Sequence, residues 1–117
     1  MQSAEEILQE KLSKRVLSNK TTREGLLACM IVTVQKYLAS VSRPASEEEI
    51  RSKLYDEAYD AFRTIGSDFE FPNLDHLKQV KGMVDRNPWL QEIREKAPAL
   101  YAEYERTCQD LFNKYEG

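Results

Sequence analysis

The segment LQEIREKAPALYAEYERTCQDL, Leu90–Leu111, carries the strongest pattern in the chain. Within it Leu90, Ile93, Ala97, Leu100, Tyr104, Thr107 and Leu111 recur at alternating spacings of three and four, the period of one buried helical face. The face keeps its phase through Pro98. A proline inside a helix removes a backbone donor and clashes with the preceding turn, so this third of the protein is expected to form a kinked helix or two aligned segments. The pattern specifies packing rather than chemistry, and it makes the expected fold class all-α.

Upstream of it, Asp85-Arg86-Asn87-Pro88 sets a capping side chain before a proline at the first helical position, the usual asymmetry of a helix start. Asn73 stands in the same way before Leu74, Leu77, Val80 and Val84. Three earlier starts share another signature, a hydroxyl residue followed three positions later by glutamate: Ser3 with Glu6, Thr21 with Glu24, and Ser46 with Glu49. In such a box the hydroxyl accepts from an orphan amide of the first turn, and the carboxylate suits the positive helix end. The boxes predict helices near 4–18, 22–41 and 47–65.

The first of these presents Leu8, Leu12 and Val16, flanked by Ile7 and Leu17, opposite Lys11, Lys14 and Arg15, and is expected to be an outer amphipathic helix. The second is apolar nearly all round from Leu26 to Val34, so it is placed at the centre of the bundle. Its β-branched run Ile31-Val32-Thr33-Val34 has strand propensity. The continuation through Tyr37, Leu38 and Val41 nevertheless favours a long helix. Ser42-Arg43-Pro44-Ala45 ends it, because a proline biases the residue before it away from helix. The third helix then turns Ile50, Leu54, Ala58, Ala61, Phe62 and Ile65 inward, with Gly66 as its stop. In the following loop Phe69 and Phe71 alternate with acidic residues and are expected to plug one end of the bundle. The whole chain, 1–117, is therefore expected to form a single domain, a compact antiparallel bundle of five or six helices joined by short links.

Composition fits this expectation. The 117 residues are 32% charged and 41% hydrophobic with four glycines and four prolines, a mixture that folds and is rich in helix formers. The longest apolar stretch is shorter than the roughly 20 residues that span a bilayer core, so no membrane association is expected. The start of the chain has acids where a secretory signal has bases, which predicts a cytoplasmic protein. Cys29 and Cys108 both fall at apolar helical positions without metal-ligand spacing, and are expected as buried thiols. Charge is unevenly placed: residues 1–43 hold seven basic and four acidic side chains, 44–75 three and nine, and 76–117 seven of each. Asymmetry of this kind can orient association between copies or with a charged partner.

The inventory for chemistry is thin. A single histidine, His76, has Asn73 rather than glutamate three residues before it, so the Glu-x-x-His unit of a di-iron bundle is absent, and no metal or cofactor is expected. Asp56 and Asp60 lie one turn apart beside Tyr55 and Tyr59 and are the best placed pair for a cation or small ligand. Lys53 and Arg63 stand close enough along the same helix to neutralise them. No nucleophile elbow or glycine-rich phosphate loop occurs, so enzyme activity has no sequence support. A basic segment between residues 11 and 23, with Lys20, Thr22 and Arg23 at a helix start, is a candidate anion contact and the basis of a nucleic-acid alternative. The acidic net charge of −3 weighs against nucleic acid.

Interaction is the function class best supported. Tyr101 lies off the main C-terminal face beside Tyr104, and Phe112 widens that face further. A helix wider in apolar and aromatic surface than one seam requires suits protein contact. The expectation is a non-enzymatic helical interaction domain, a homo-oligomer or small adaptor, meeting its partner through Trp89, Tyr101, Tyr104, Leu111 and Phe112.

Overall fold

The most apolar helix of the sequence lies at the middle of the structure. A computed structural model describes residues 2–54, 56 and 73–116, and among them the chain forms six helices and no strand. They are α1 (Ala4–Ser13), α2 (Asn19–Ser40), α3 (helical over 47–54 and at 56), α4 (Leu74–Val84), α5 (Pro88–Lys96) and α6 (Pro98–Asn113). Helix α2 packs against α1, α5 and α6. Leu26, Ala28, Cys29, Met30, Ile31, Val32, Val34, Tyr37 and Leu38 are all buried along it, so the β-branched run is helical as expected. Thr33 is accommodated there because its hydroxyl donates to the Cys29 carbonyl at 2.8 Å, leaving no buried donor without a partner.

Close packing around α2 depends on Gly25. A methyl group at this position would meet Leu111 Cδ2 at 3.0 Å and the Lys11 Cβ and Cγ at 3.2 Å. The missing side chain lets α1 and α6 approach α2 at the same level. Few contacts could be added there without a shift of the neighbouring helices.

Helix starts follow the local signals with one displacement. Ser3 Oγ accepts from the Glu6 amide at 3.2 Å, Ser46 Oγ from Glu49 at 3.1 Å, and Asn73 Oδ1 from His76 at 3.1 Å. Helix α2, however, begins one turn before the Thr21–Glu24 box. Ser18 is its cap, accepting from the Thr21 amide at 3.3 Å, while its carbonyl takes the hydroxyls of Thr21 and Thr22 at 3.1 and 2.8 Å. Starting earlier satisfies three donors around one residue and adds a turn to the helix.

Helix α1 is correspondingly shorter than its periodicity suggests, ending at Ser13 rather than near residue 18. The segment after it is captured by the other end of the chain. Leu17 receives a 2.8 Å bond on its carbonyl from Glu116 and gives one of 2.8 Å to the Lys114 carbonyl, forming a parallel bridge with Tyr115. This extended pairing reverses the expected facing: Leu17 is fully buried and Val16 is 47% exposed. Helical phase ceases to apply once the backbone is extended.

The C-terminal third resolves the break at Pro98 into two consecutive helices. Ala97 has φ −137° and ψ 62°, outside the helical region, as the residue before a proline tends to be. Its amide still closes α5 on Ile93 at 2.8 Å, and its carbonyl opens α6 by accepting from Tyr101 at 3.0 Å. The seam survives the joint, with Leu90, Ile93, Tyr104 and Leu111 all essentially inaccessible. Asn87 caps α5 through the Trp89 amide at 2.8 Å, with Pro88 at the first helical position. The expected plug residues Phe69 and Phe71, and the helix positions Ala58, Ala61, Phe62, Ile65 and Gly66, lie outside the described residues.

Candidate functional site

Two lysines are buried, and their surroundings differ in kind. Lys81, 8% exposed at the end of α4, is fully engaged. Its ammonium lies 2.6 Å from Asp85 Oδ2 and 3.0 Å from Glu105 Oε1, above the Tyr104 ring at 4.9 Å. Tyr104 in turn donates to the other Asp85 oxygen at 2.7 Å, and Gln91 holds the Asp85 carbonyl at 2.6 Å. Burial alone would lower the lysine pKa, but the bond and charge of Asp85, with Glu105, more than offset it and hold the ammonium well above the ordinary lysine range. Burial raises the hydroxyls around it, Tyr101 to about 12 with help from Asp85 and Glu105, and Tyr104 well above a normal tyrosine. Cys108 beside them is also held as a thiol by burial and by its bond to Cys29. Lys81, Asp85, Glu105, Tyr104 and Gln91 satisfy one another, so the cluster fastens α4, α5 and α6 together.

Lys11, 6% exposed on α1, is held more loosely. Its ammonium reaches Glu24 at 3.4 Å and Glu10 at 3.6 Å, outside close hydrogen-bond range. Glu10 also accepts from Gln2 at 3.1 Å, and that bond and the Lys11 charge keep its carboxyl below the usual range. Lys11 lines a cleft of about 330 Å³ between α1, α2 and α3, within the size range of ligand-binding clefts. Ala28 and Ile31 are buried at its base and Ile7 and Leu27 are half-buried beside them. Gln2, Glu24 and Arg51 complete its polar rim.

A second depression of about 490 Å³ adjoins the first, sharing Gln2 and Arg51 and lined further by Ser3, Glu6, Glu47 and Glu48. Glu47 is the joint between α1 and α3: one of its oxygens accepts from the Ala4 amide at 2.9 Å and from Arg51 at 3.1 Å. The capping box at Ser46 thus positions more than a helix start. It sets consecutive carboxylates on the first turn of α3, against the first turn of α1.

The sequence candidates fall elsewhere. Tyr104, Leu111 and Phe112 are buried in the protein's own core, while Trp89 and Tyr101 are half-buried against it. Lys53 lies over the Trp89 ring at 4.9 Å. Asp56 is exposed, and Tyr55, Tyr59, Asp60 and Arg63 lie outside the described residues. Of the anion candidates, Lys20 is exposed and Arg23 half-buried, but Thr22 is fully buried with its hydroxyl on Ser18. Lys14 stands 3.9 Å from Glu10. The basic segment is therefore interleaved with carboxylates and buried groups.

Among the described residues no group of three or more histidine, cysteine or carboxylate side chains is placed to hold a metal ion, and no helix is long and apolar enough to cross a membrane. No family model, curated protein or solved structure matches the chain.

The cleft was not legible beforehand. Ile7, Leu27 and Ile31 look like ordinary core positions in a one-dimensional pattern, and Glu47 and Glu48 like capping charge. The available signal was the acidic excess of residues 44–75, which contains the α3 side of the cleft.

Proposed function

We propose that this chain is a helical protein-binding domain whose working surface is the paired cleft between α1, α2 and the start of α3. The observation that supports this reading is a concave surface in which the half-buried Ile7 and Leu27 present apolar area above the buried Ala28 and Ile31, rimmed by charges of both signs. Grooves of that composition suit an apolar anchor from a partner segment, with rim charges fixing its orientation.

The C-terminal face offers less to a partner. Tyr104, Leu111 and Phe112 are occupied by the core, and the exposed large hydrophobics among the described residues are the separated Val16 and Val41. Association through a broad aromatic patch on α6 has little surface left to use. A random peptide library displayed on phage tests the cleft. Selected peptides should bind the wild-type protein and lose binding to Leu27→Glu, whose fold is checked by circular dichroism. Failure to enrich any peptide sensitive to that substitution overturns the reading.

A further inference from the structure

The two adjoining depressions differ in chemistry, and that difference defines an occupant. The first has an apolar base and a volume of about 330 Å³, room for one large aliphatic or aromatic side chain. The second is lined by three carboxylates, Glu6, Glu47 and Glu48, against one cation, Arg51. Glu47 is already committed to Arg51 and to the Ala4 amide. Glu48 is exposed and makes no ion pair among the described residues, and Glu6 is exposed with only the Ser3 hydroxyl donating to its carboxylate, at 3.2 Å. Among the described residues, these two carboxylates thus flank the second depression without an ion pair.

We infer that the cleft recognises a short partner segment in which a large apolar residue is followed by lysine or arginine. The apolar side chain enters between Ile7 and Leu27, and the basic side chains lie along Glu6 and Glu48. Gln2 and Arg51, shared by both depressions, stand at the boundary between the two subsites. The buried Lys11 contributes discrimination in the first subsite. Lys11 and Arg51 line that depression against one carboxylate, Glu24, so a cationic side chain is disfavoured there and the apolar residue of the partner is the one that goes in. The inference deepens the protein-binding reading of the same cleft and rests on it.

The test uses two probes, acetyl-Leu-Lys-Lys-amide and acetyl-Leu-Glu-Glu-amide, titrated into the uniformly labelled full chain and followed by amide chemical shifts. The basic peptide should perturb residues around Ile7, Leu27 and Glu48, bind about tenfold more tightly than the acidic one, and weaken as salt is raised. The Glu6→Gln, Glu48→Lys double variant keeps a hydrogen-bonding group at the first helix start and changes only exposed side chains, so its fold should be preserved. It should lose the preference for the basic peptide. Equal binding of both peptides at the cleft overturns the charge assignment while leaving a binding cleft in place. Binding of neither peptide at the cleft overturns the specificity, and the library selection then decides separately whether the cleft binds peptides at all.

Discussion

The Tyr104 hydroxyl donates to Asp85 Oδ1 at 2.7 Å, joining the middle of α6 to the end of α4 from a position 1% exposed. The other oxygen of the same carboxylate takes the Lys81 ammonium at 2.6 Å. One acid therefore satisfies two buried donors, and neither can be removed without leaving it short. Tyr104→Phe should lower the free energy of unfolding by about 1–3 kcal/mol, the cost of a buried polar group left without its partner. Urea denaturation checks this. An effect within error of zero would show that water replaces the hydroxyl.

The same cluster gives the protein an alkaline limit. The folded-state pKa of Lys81 and of Tyr101 is raised, Tyr101 to about 12, so the folded state holds these protons where the unfolded chain, with tyrosine near 10, releases them. Stability from these groups is complete below the unfolded values and falls as pH rises from about 10 towards 12. Thermal melts across that interval should show a falling midpoint, and Tyr101→Phe should shallow the fall.

Glycines 25 and 82 should respond to alanine in opposite ways. Gly82 has open space around the position of a β-carbon, so Gly82→Ala should stabilise α4 by roughly 0.5–1 kcal/mol through helix propensity. Gly25→Ala must displace Leu111 or the Lys11 stem, and overpacking of about 1–3 kcal/mol outweighs the same propensity gain. The two melting temperatures, measured side by side, should move in opposite directions.

Ser42 ends α2 in a left-handed conformation, with φ 58°. Around it the Arg43 amide bonds the Leu38 carbonyl at 2.8 Å and the Ser42 amide bonds Ala39 at 3.3 Å, the two bonds of a Schellman cap. A side chain strains that conformation and glycine relieves it. Ser42→Gly should therefore stabilise the protein by about 1 kcal/mol, measured by chemical denaturation.

Removal of residues 114–117 should loosen the link between α1 and α2. The chain end supplies both backbone partners of the fully buried Leu17, and the Lys114 ammonium also caps the Lys14 carbonyl at 2.9 Å. The truncated chain should lose about 2 kcal/mol, and the Leu17 amide should lose its protection from hydrogen exchange.

Helix content and most helix starts were legible because their causes are local. Ser3, Ser46, Asn73 and Asn87 cap amides within three residues of themselves, and a capping bond needs nothing from the rest of the chain. Local pattern alone puts the α2 start one turn too late, because Ser18 and Thr21 both offer a hydroxyl at suitable spacing. Choosing between them depends on how many donors each can gather, and Ser18 gathers more.

Amphipathic periodicity along the chain fixed the class of the fold, the central place of α2 and the inward seam of Leu90, Ile93, Tyr104 and Leu111, since side-chain direction in a helix follows from residue number. Contacts between distant segments carry no such periodicity. Leu17 with Tyr115, Lys81 with Glu105, Glu47 with the Ala4 amide, and the cleft between Ile7 and Leu27 all arise where separately formed helices meet. Whether an aromatic such as Tyr104 faces a partner or the protein's own core was set at that same stage, because burial is a property of the surface opposite a residue and not of the residue.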